Sequence, residues 1–301
     1  MNPTMTDREQ KTARLRELLN SGKILLAPGS YNPVSAVLIE QAGFDCVYIS
    51  GAGVSVNNLG YPDVGLSTMS EILDTARNVV TVTSVPVVCD IDTGYGNALN
   101  VYRTIRSFED AGVAGVQMED QAIPKKCGHI DGKQLVSKAE MVQKIRAAVD
   151  ARRDPNFVLI ARTDAVAVEG LDAAIERSLA YKDAGADVTF VEAPRSKDDM
   201  RRVTAAIPGL HMANMVEKGG RTPILPLPEL EALGFNLVIY PGSTWMAAIK
   251  AMQDVLAVLK QDGTTTRFED RMIAFNEKGN ELFEVVGLSR YKQLERKYAA
   301  D

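Results

Sequence analysis

Eight short apolar runs punctuate the chain, and each closes on small or polar residues. They are ILLAPGS (Ile24–Ser30), CVYISG (Cys46–Gly51), VPVVCDID (Val85–Asp92), GVQMED (Gly115–Asp120), FVLIARTD (Phe157–Asp164), DVTFVEAP (Asp187–Pro194), LHMANMVE (Leu210–Glu217) and LVIYPGS (Leu237–Ser243). Near-continuous apolar character predicts parallel strands buried on both faces. Between the runs, Pro33–Ala42, Ser67–Val79, Ala98–Ala111, Ser137–Arg152, Leu171–Ala184, Lys197–Ile207 and Pro228–Leu233 carry apolar residues at three- and four-residue spacing, the mark of amphipathic helices. Four of these segments end in a glycine step, at Gly43, Gly112, Gly185 and Gly234, just before the second, fourth, sixth and eighth runs. Glycine there supplies the left-handed turn that stops a helix.

Eight strands alternating with helices predict an α/β fold, a (β/α)8 TIM barrel, as one domain over 1–301. A doubly wound open sheet is the structural alternative. No GxGxxG or P-loop follows the first strand, so a nucleotide-binding fold has no support. Beyond the eighth strand, 244–301 reads as a helical tail: one helix over Thr244–Lys260, then one or two more over Arg267–Ala300. Phe268, Met272, Phe275, Leu282, Phe283, Val286 and Leu294 are its candidate buried residues. The tail either packs on its own barrel or exchanges a helix with a neighbouring subunit.

Composition narrows the function. The net charge is −5 with no long basic run, which argues against nucleic acid as a partner. The amino-terminal stretch MNPTMTDREQKTARLRELL has no apolar core of signal-peptide type, and no segment approaches the ~20 apolar residues of a membrane span. Three cysteines, Cys46, Cys89 and Cys127, show no CxxC spacing and leave an odd one over, which suits a cytoplasmic protein without structural disulfides. Only two histidines are present, so a multi-histidine metal site is excluded and carboxylates become the candidate ligands.

In such barrels the chemistry sits at the carboxyl ends of the strands. Those ends carry Asp90 and Asp92 on the third strand, Glu119 on the fourth, Arg162 on the fifth, Glu192 on the sixth and Asn214 on the seventh. Asp90 and Asp92 share a side by the period of two along a strand. If that side is the barrel interior, both reach one pocket. With Glu119 beside them they suit Mg2+, with Mn2+ as the alternative; the other reading makes them capping or salt-bridging acids. Clustered carboxylates repel unless a cation lies between them.

The loop after the fourth strand, residues 121–133, is rich in Gly, Lys and polar residues and contains Cys127. Cys46 and Cys89 lie inside apolar runs and read as inert packing. Cys127, flanked by Lys125, Lys126 and His129, is expected to have a lowered pKa and a reactive thiol.

The run Lys125-Lys-Cys-Gly-His129 resembles the catalytic loop of the isocitrate lyase and phosphoenolpyruvate mutase superfamily. Tyr48-Ile-Ser-Gly51, Leu59-Gly-Tyr-Pro-Asp63, Asp90-Ile-Asp-Thr-Gly-Tyr-Gly96, Glu119-Asp120, Ala161-Arg-Thr-Asp164 and Val191-Glu-Ala193 follow in the family's order. The size and the stretch Ile160–Arg177 resemble the bacterial 2-methylisocitrate lyases. Ala213–Pro223 is more similar to 2,3-dimethylmalate lyases and the related plant 2-alkylmalate lyases or oxaloacetate hydrolases. The cysteine loop departs from the phosphonomutase and oxaloacetate decarboxylase branches.

The resemblance implies Mg2+-assisted cleavage of a carbon–carbon bond in a 2-hydroxy carboxylic acid. Asp90, Asp92 and Glu119 would hold the metal, and Tyr48 or Lys125 would take the hydroxyl proton. Cys127 would protonate the departing enediolate after the loop closes and excludes water. The backbone amides of Ser50, Gly51 and Ala52 and the side chain of Arg162 would bind carboxylate. Glu192 and Asn214 would orient the leaving acid, with Gly128 and His129 as loop contacts. The resemblance further implies a homotetramer whose last helix swaps between subunits. Oxaloacetate hydrolysis, carboxyphosphonoenolpyruvate phosphonomutase activity and a non-catalytic ligand-binding barrel are the competing expectations.

Overall fold

A computed structural model of the chain describes residues 7–275 and 280–299. Residues 1–6, 276–279 and 300–301, over which the expected domain and its tail helices extend, lie outside the described residues. The chain divides into two compact units, one running to Thr244 and the other starting at Trp245. That division falls at the expected start of the helical tail.

The first unit is a closed barrel of eight parallel strands in sequential order. In chain order its elements are α1 (Asp7–Leu19), β1 (Leu25–Ser30), α2 (Pro33–Gln41), β2 (Val47–Ile49), α3 (Gly51–Val54), α4 (Met69–Val82), β3 (Val87–Asp90), α5 (Ala98–Ala111), β4 (Gly115–Glu119), α6 (Lys138–Ala151), β5 (Val158–Thr163), α7 (Leu171–Asp183), β6 (Val188–Val191), α8 (Lys197–Ala206), β7 (Leu210–Asn214), α9 (Leu227–Ala232) and β8 (Leu237–Tyr240). All eight predicted strands form, each shorter than its apolar run. Gly43, Gly112, Gly185 and Gly234 all take positive φ, as the helix-stop reading requires. Local capping starts the helices: Thr68 and Glu71 form a reciprocal capping box on α4.

Side chains alternate between two layers. Val88, Ile160, Phe190, Met212 and Ile239 point into the barrel, where Leu15 and Leu19 of α1 join them. Val87, Cys89, Val116 and Met118 face outward against the helices. Val88 thus faces the interior, and so does Asp90 two residues on. The sequence reading missed α1. Its apolar residues are few, and only the barrel to which Leu15 and Leu19 belong reveals them as core.

The second unit contains most of α10 (Ser243–Asp262), a 3-10 turn (Thr266–Arg271), α11 (Asn280–Glu284) and α12 (Leu288–Tyr298). Of the seven expected buried residues in this tail only Phe268 is buried; the other six are 36–68% exposed. Phe275 makes an edge-on ring contact with Phe283. Helix α10 buries no residue at all. No helix among the described residues is long and apolar enough to cross a membrane.

Candidate active site

The acids gather at the carboxyl end of the barrel, around one ammonium group. Lys125 Nζ lies 2.5 Å from Asp63 Oδ1 and 2.6 Å from Asp92 Oδ1, and the lysine is buried. Burial works against its charge, but Asp92, Glu119, Asp63 and Asp90 outweigh that and hold its pKa well above the usual lysine value. Burial, and then the neighbouring Asp92 carboxylate, push Asp90 up from 3.8 to about 6. Burial likewise holds Glu119 well above the usual carboxylate range. These are the signs of too much negative charge in too little solvent.

Asp90 and Asp92 converge differently from the expectation. Strand β3 ends at Asp90, and Asp92 lies beyond it in the left-handed region at φ 49°. A turn, not strand alternation, sets their approach, and the Asp92 amide donates to Asp90 Oδ1 at 3.0 Å. Among the described residues no three His, Cys, Asp or Glu side chains are drawn together closely enough to form a ready metal cage. The acids are spread around Lys125 instead.

Arg162 forms the second charged centre. Its Nε and Nη2 donate to Asp164 at 2.9 and 3.1 Å, Nη1 lies 3.3 Å from Glu192 Oε2, and Nε lies 3.4 Å from Glu119 Oε2. The pairing follows from register, because Glu119 of β4 stands opposite Arg162 of β5. Burial opposes ionisation of Glu192, but Arg162, His129 and Asn214 prevail and hold its pKa well below the usual range. Asn214 Nδ2 donates to Glu192 Oε2 at 2.9 Å.

The cysteine loop lies on this centre. A side chain at Gly128 would collide with Arg162 Nη2 and stand 2.8 Å from Glu192 Cγ, so glycine is what lets the backbone come this close. His129 Nε2 lies 3.2 Å from Glu192 Oε1, and the Arg221 amide donates to His129 Nδ1 at 3.0 Å. With Nδ1 accepting, the neutral ring carries its proton on Nε2, toward Glu192. The Cys127 amide donates to the Asp63 carbonyl at 3.0 Å.

The lowered pKa expected for Cys127 is overturned. Burial raises it, and the pull of the His129 amide does not compensate. The lysines flanking it are engaged elsewhere: Lys125 with Asp63 and Asp92, and Lys126 Nζ with the Gly132 carbonyl at 3.0 Å. Cys127 is a protonated thiol, suited to donating. Cys46 and Cys89 are fully buried, as expected, and burial pushes Cys46 up to about 12.

Tyr48 and Lys125 both flank the acid cluster, and both are held protonated. Tyr48 Oη donates to Gln117 Oε1 at 2.7 Å, and burial followed by the Asp90 charge raises its pKa well above the usual phenol. Each is a donor in the substrate-free site. Ser50 requires a correction: its amide is spent on the Ser30 carbonyl at 2.9 Å, and its hydroxyl accepts from the Gly53 amide at 3.1 Å. The carboxylate cradle is left to the amides of Gly51 and Ala52, which open α3 and have no acceptor within it.

Residues 15–260 match the family model described as phosphoenolpyruvate phosphomutase. The chain belongs to this family. The 2,3-dimethylmalate lyase of Eubacterium barkeri is 50% identical over 95% of this chain and 98% of its own length. A probable 2-methylisocitrate lyase of Corynebacterium glutamicum is 50% identical over 81% of this chain and 80% of its own. A solved structure of oxaloacetate acetylhydrolase with the inhibitor 3,3-difluorooxalacetate superimposes with a TM-score of 0.91 at 34% identity, covering 97% of this chain and 98% of that one.

Every predicted site residue of this family member lies at the carboxyl end of the barrel or in the loops above it. Three contributors escaped the sequence reading. Asp63 stood in the quoted LGYPD motif, but its pairing with Lys125 spans 62 residues and no local pattern announces it. Gln117 lies inside an apolar strand, where it looks like an interruption. Lys133 looks like one more surface lysine until its burial is known.

Proposed function

We propose that the chain is a Mg2+-dependent carbon–carbon lyase that cleaves a 2-hydroxy di- or tricarboxylate of the 2-methylisocitrate type to pyruvate and a second carboxylic acid such as succinate. The observation that carries this reading is the seating of Gly128 on the Arg162–Glu192 pair, with the protonated Cys127 thiol next to it in the loop.

The residues fit a divalent cation. Glu119 Oε1 is buried without a hydrogen-bond partner. A side chain at Gly51 would stand 2.9 Å from Asp90 Oδ2, so glycine keeps that side of the carboxylate open. Mg2+ usually retains several waters and needs only one or two direct carboxylates, so loosely spread acids suit it. Asp90, Asp92 and Glu119 would hold it, with Mn2+ as the alternative. When bound it supplies Lewis-acid stabilisation of negative charge on substrate oxygens.

The chain's own residues do the rest. Arg162, its fork fixed by Asp164, pairs a substrate carboxylate. The amides of Gly51 and Ala52 receive the carboxylate of the keto acid. Tyr48 and Lys125 donate to the oxygens at the hydroxyl end. The hydroxyl proton passes to Lys125 as Lys125 hands its own to the paired Asp63 carboxylate, the C–O bond becomes a carbonyl and the adjacent C–C bond breaks. Its electron pair goes to the departing acid, and the Cys127 thiol proton completes that acid. Glu192 and Asn214 orient it, and the loop keeps water out.

The test is a Mg2+-supplemented screen of 2-methylisocitrate, 2,3-dimethylmalate, isocitrate and oxaloacetate. Pyruvate release that EDTA abolishes is the expected result; no EDTA-sensitive turnover of any of the four would sink the reading. Oxaloacetate hydrolysis is the second reading, favoured by the similarity to oxaloacetate acetylhydrolase, and appears in the same screen as oxalate plus acetate. We further propose a homotetramer with exchange of α10. Support comes from the exposed Met252, Leu256 and Leu259 on that helix, and from an apolar groove of about 440 Å3 on the barrel lined by Leu26, Pro28, Leu38, Ile39 and Phe44. Light scattering of L256E should show a smaller assembly than the parent. Three free thiols suit a cytoplasmic location.

A further inference from the structure

Lys133 is a buried cation of the Cys127 loop for which the proposed reaction has no use. Its side chain is 1% exposed, its Nζ lies 3.1 Å from Asp164 Oδ1, and it donates to the Gly128 carbonyl. An ammonium group is taken out of water only where its charge and its donors are matched. Here one match is a strand-end carboxylate and the other is the backbone of the loop that carries Cys127.

The anchor on the strand side is rigid. Asp164 is buried, and its amide donates to Asp120 Oδ1 at 2.9 Å. Asp120 is itself held by Thr163 Oγ1 and Tyr181 Oη, each at 2.7 Å. The stem of the loop is also fixed, with Ala122 N–H to the Gln134 carbonyl at 2.7 Å and Val136 N–H to the Asp120 carbonyl at 2.9 Å. Between the stem and its tip, Lys133 reaches back five residues to Gly128. It ties the tip to the same carboxylate that fixes the fork of Arg162. One acid, Asp164, therefore holds both the substrate-binding guanidinium and the loop bearing the thiol.

We propose that Lys133 is a positioning residue. It seats the Cys127 loop on the Arg162 network, so that the thiol and the guanidinium keep one relative geometry. The inference rests on the reading of Cys127 as proton donor only for its effect on turnover; the seating itself is a statement about the loop.

The test uses the full chain carrying Lys133→Met, with iodoacetamide as the probe. Cys46 and Cys89 are buried, so alkylation of the parent reports Cys127 alone. In K133M the rate of alkylation should rise tenfold or more, with one thiol labelled per chain and the melting temperature kept. With a substrate identified in the screen, kcat should fall ten- to a hundredfold while KM changes by less than threefold. Lys133→Arg, which keeps a donor, should recover part of both. A folded K133M with the parent's alkylation rate overturns the proposal. So does labelling of all three thiols in K133M and K133R alike, because the lysine would then be holding up the fold and not the loop. If the acid panel gives no turnover, the alkylation rates still decide the role of Lys133, so the two failures are separable.

Discussion

Gly128→Ala tests the seating of the thiol with the smallest possible change. The added methyl would collide with Arg162 Nη2 and stand 2.8 and 3.0 Å from Glu192 Cγ and Cδ. Ordinary carbon contacts are ~3.5–4.0 Å, so one side must give way by about 1 Å. Arg162 cannot retreat easily, since Asp164, Glu192 and Glu119 hold it from three sides. The φ of Gly128 is not in the left-handed region, so alanine adds no backbone strain, and the loop is the part that moves. Overpacking of this kind costs about 1–3 kcal/mol, and a misplacement of about 1 Å at reacting groups costs on the order of a hundredfold in rate. We therefore expect kcat/KM for the substrate found in the screen to drop roughly ten- to a hundredfold. Circular dichroism should show the parent's fold, and Mg2+ titration should show unchanged binding, because the atoms nearest the added methyl belong to Arg162 and Glu192 and not to Asp90, Asp92 or Glu119. Parent-like kinetics in a folded G128A would refute the claim that the loop works in contact with Arg162 and Glu192.

Three more predictions follow from the same geometry. Cys127→Ser should lower turnover by roughly two to four orders of magnitude while pyruvate still binds with Mg2+, measured by calorimetric titration; full activity in that variant would remove Cys127 from its role. Asp90 has a folded pKa raised from 3.8 to about 6, so its contribution to stability is complete below pH ~4 and is lost as pH rises through 6. Metal-free protein should gain on the order of 3 kcal/mol from this group between neutral pH and pH ~4, and Mg2+ should raise the melting temperature most at neutral pH. Calorimetric scans in EDTA and in Mg2+ check this, and a melting temperature at neutral pH that is indifferent to Mg2+ contradicts it. Asp63→Asn removes one of the two direct anionic partners of Lys125; a charge-assisted bond of about 1.5–3 kcal/mol predicts a ten- to hundredfold loss of kcat/KM with little change in substrate-independent folding, read by steady-state kinetics and thermal melting.

The sequence by itself determined the barrel. Apolar runs of β-branched residues, separated by amphipathic spacing and closed by glycine stops, are local signals, and backbone sterics and burial act on them residue by residue. It also determined which strand ends carry Asp90, Glu119, Arg162, Glu192 and Asn214, since topology sends every strand end to one rim. Tertiary structure decided what each group is in that company. Asp92 reaches its neighbour through a left-handed turn, and the Ser50 amide is consumed by the adjacent strand. Cys127 is a thiol because burial outweighs lysines that are neighbours only in sequence. Lys125 and Lys133 read alike as residues of a basic loop. Yet one is held by Asp63, 62 residues away, and the other ties the loop to Asp164. Charge state depends on desolvation and on partners brought from far along the chain, and neither is written in a local pattern.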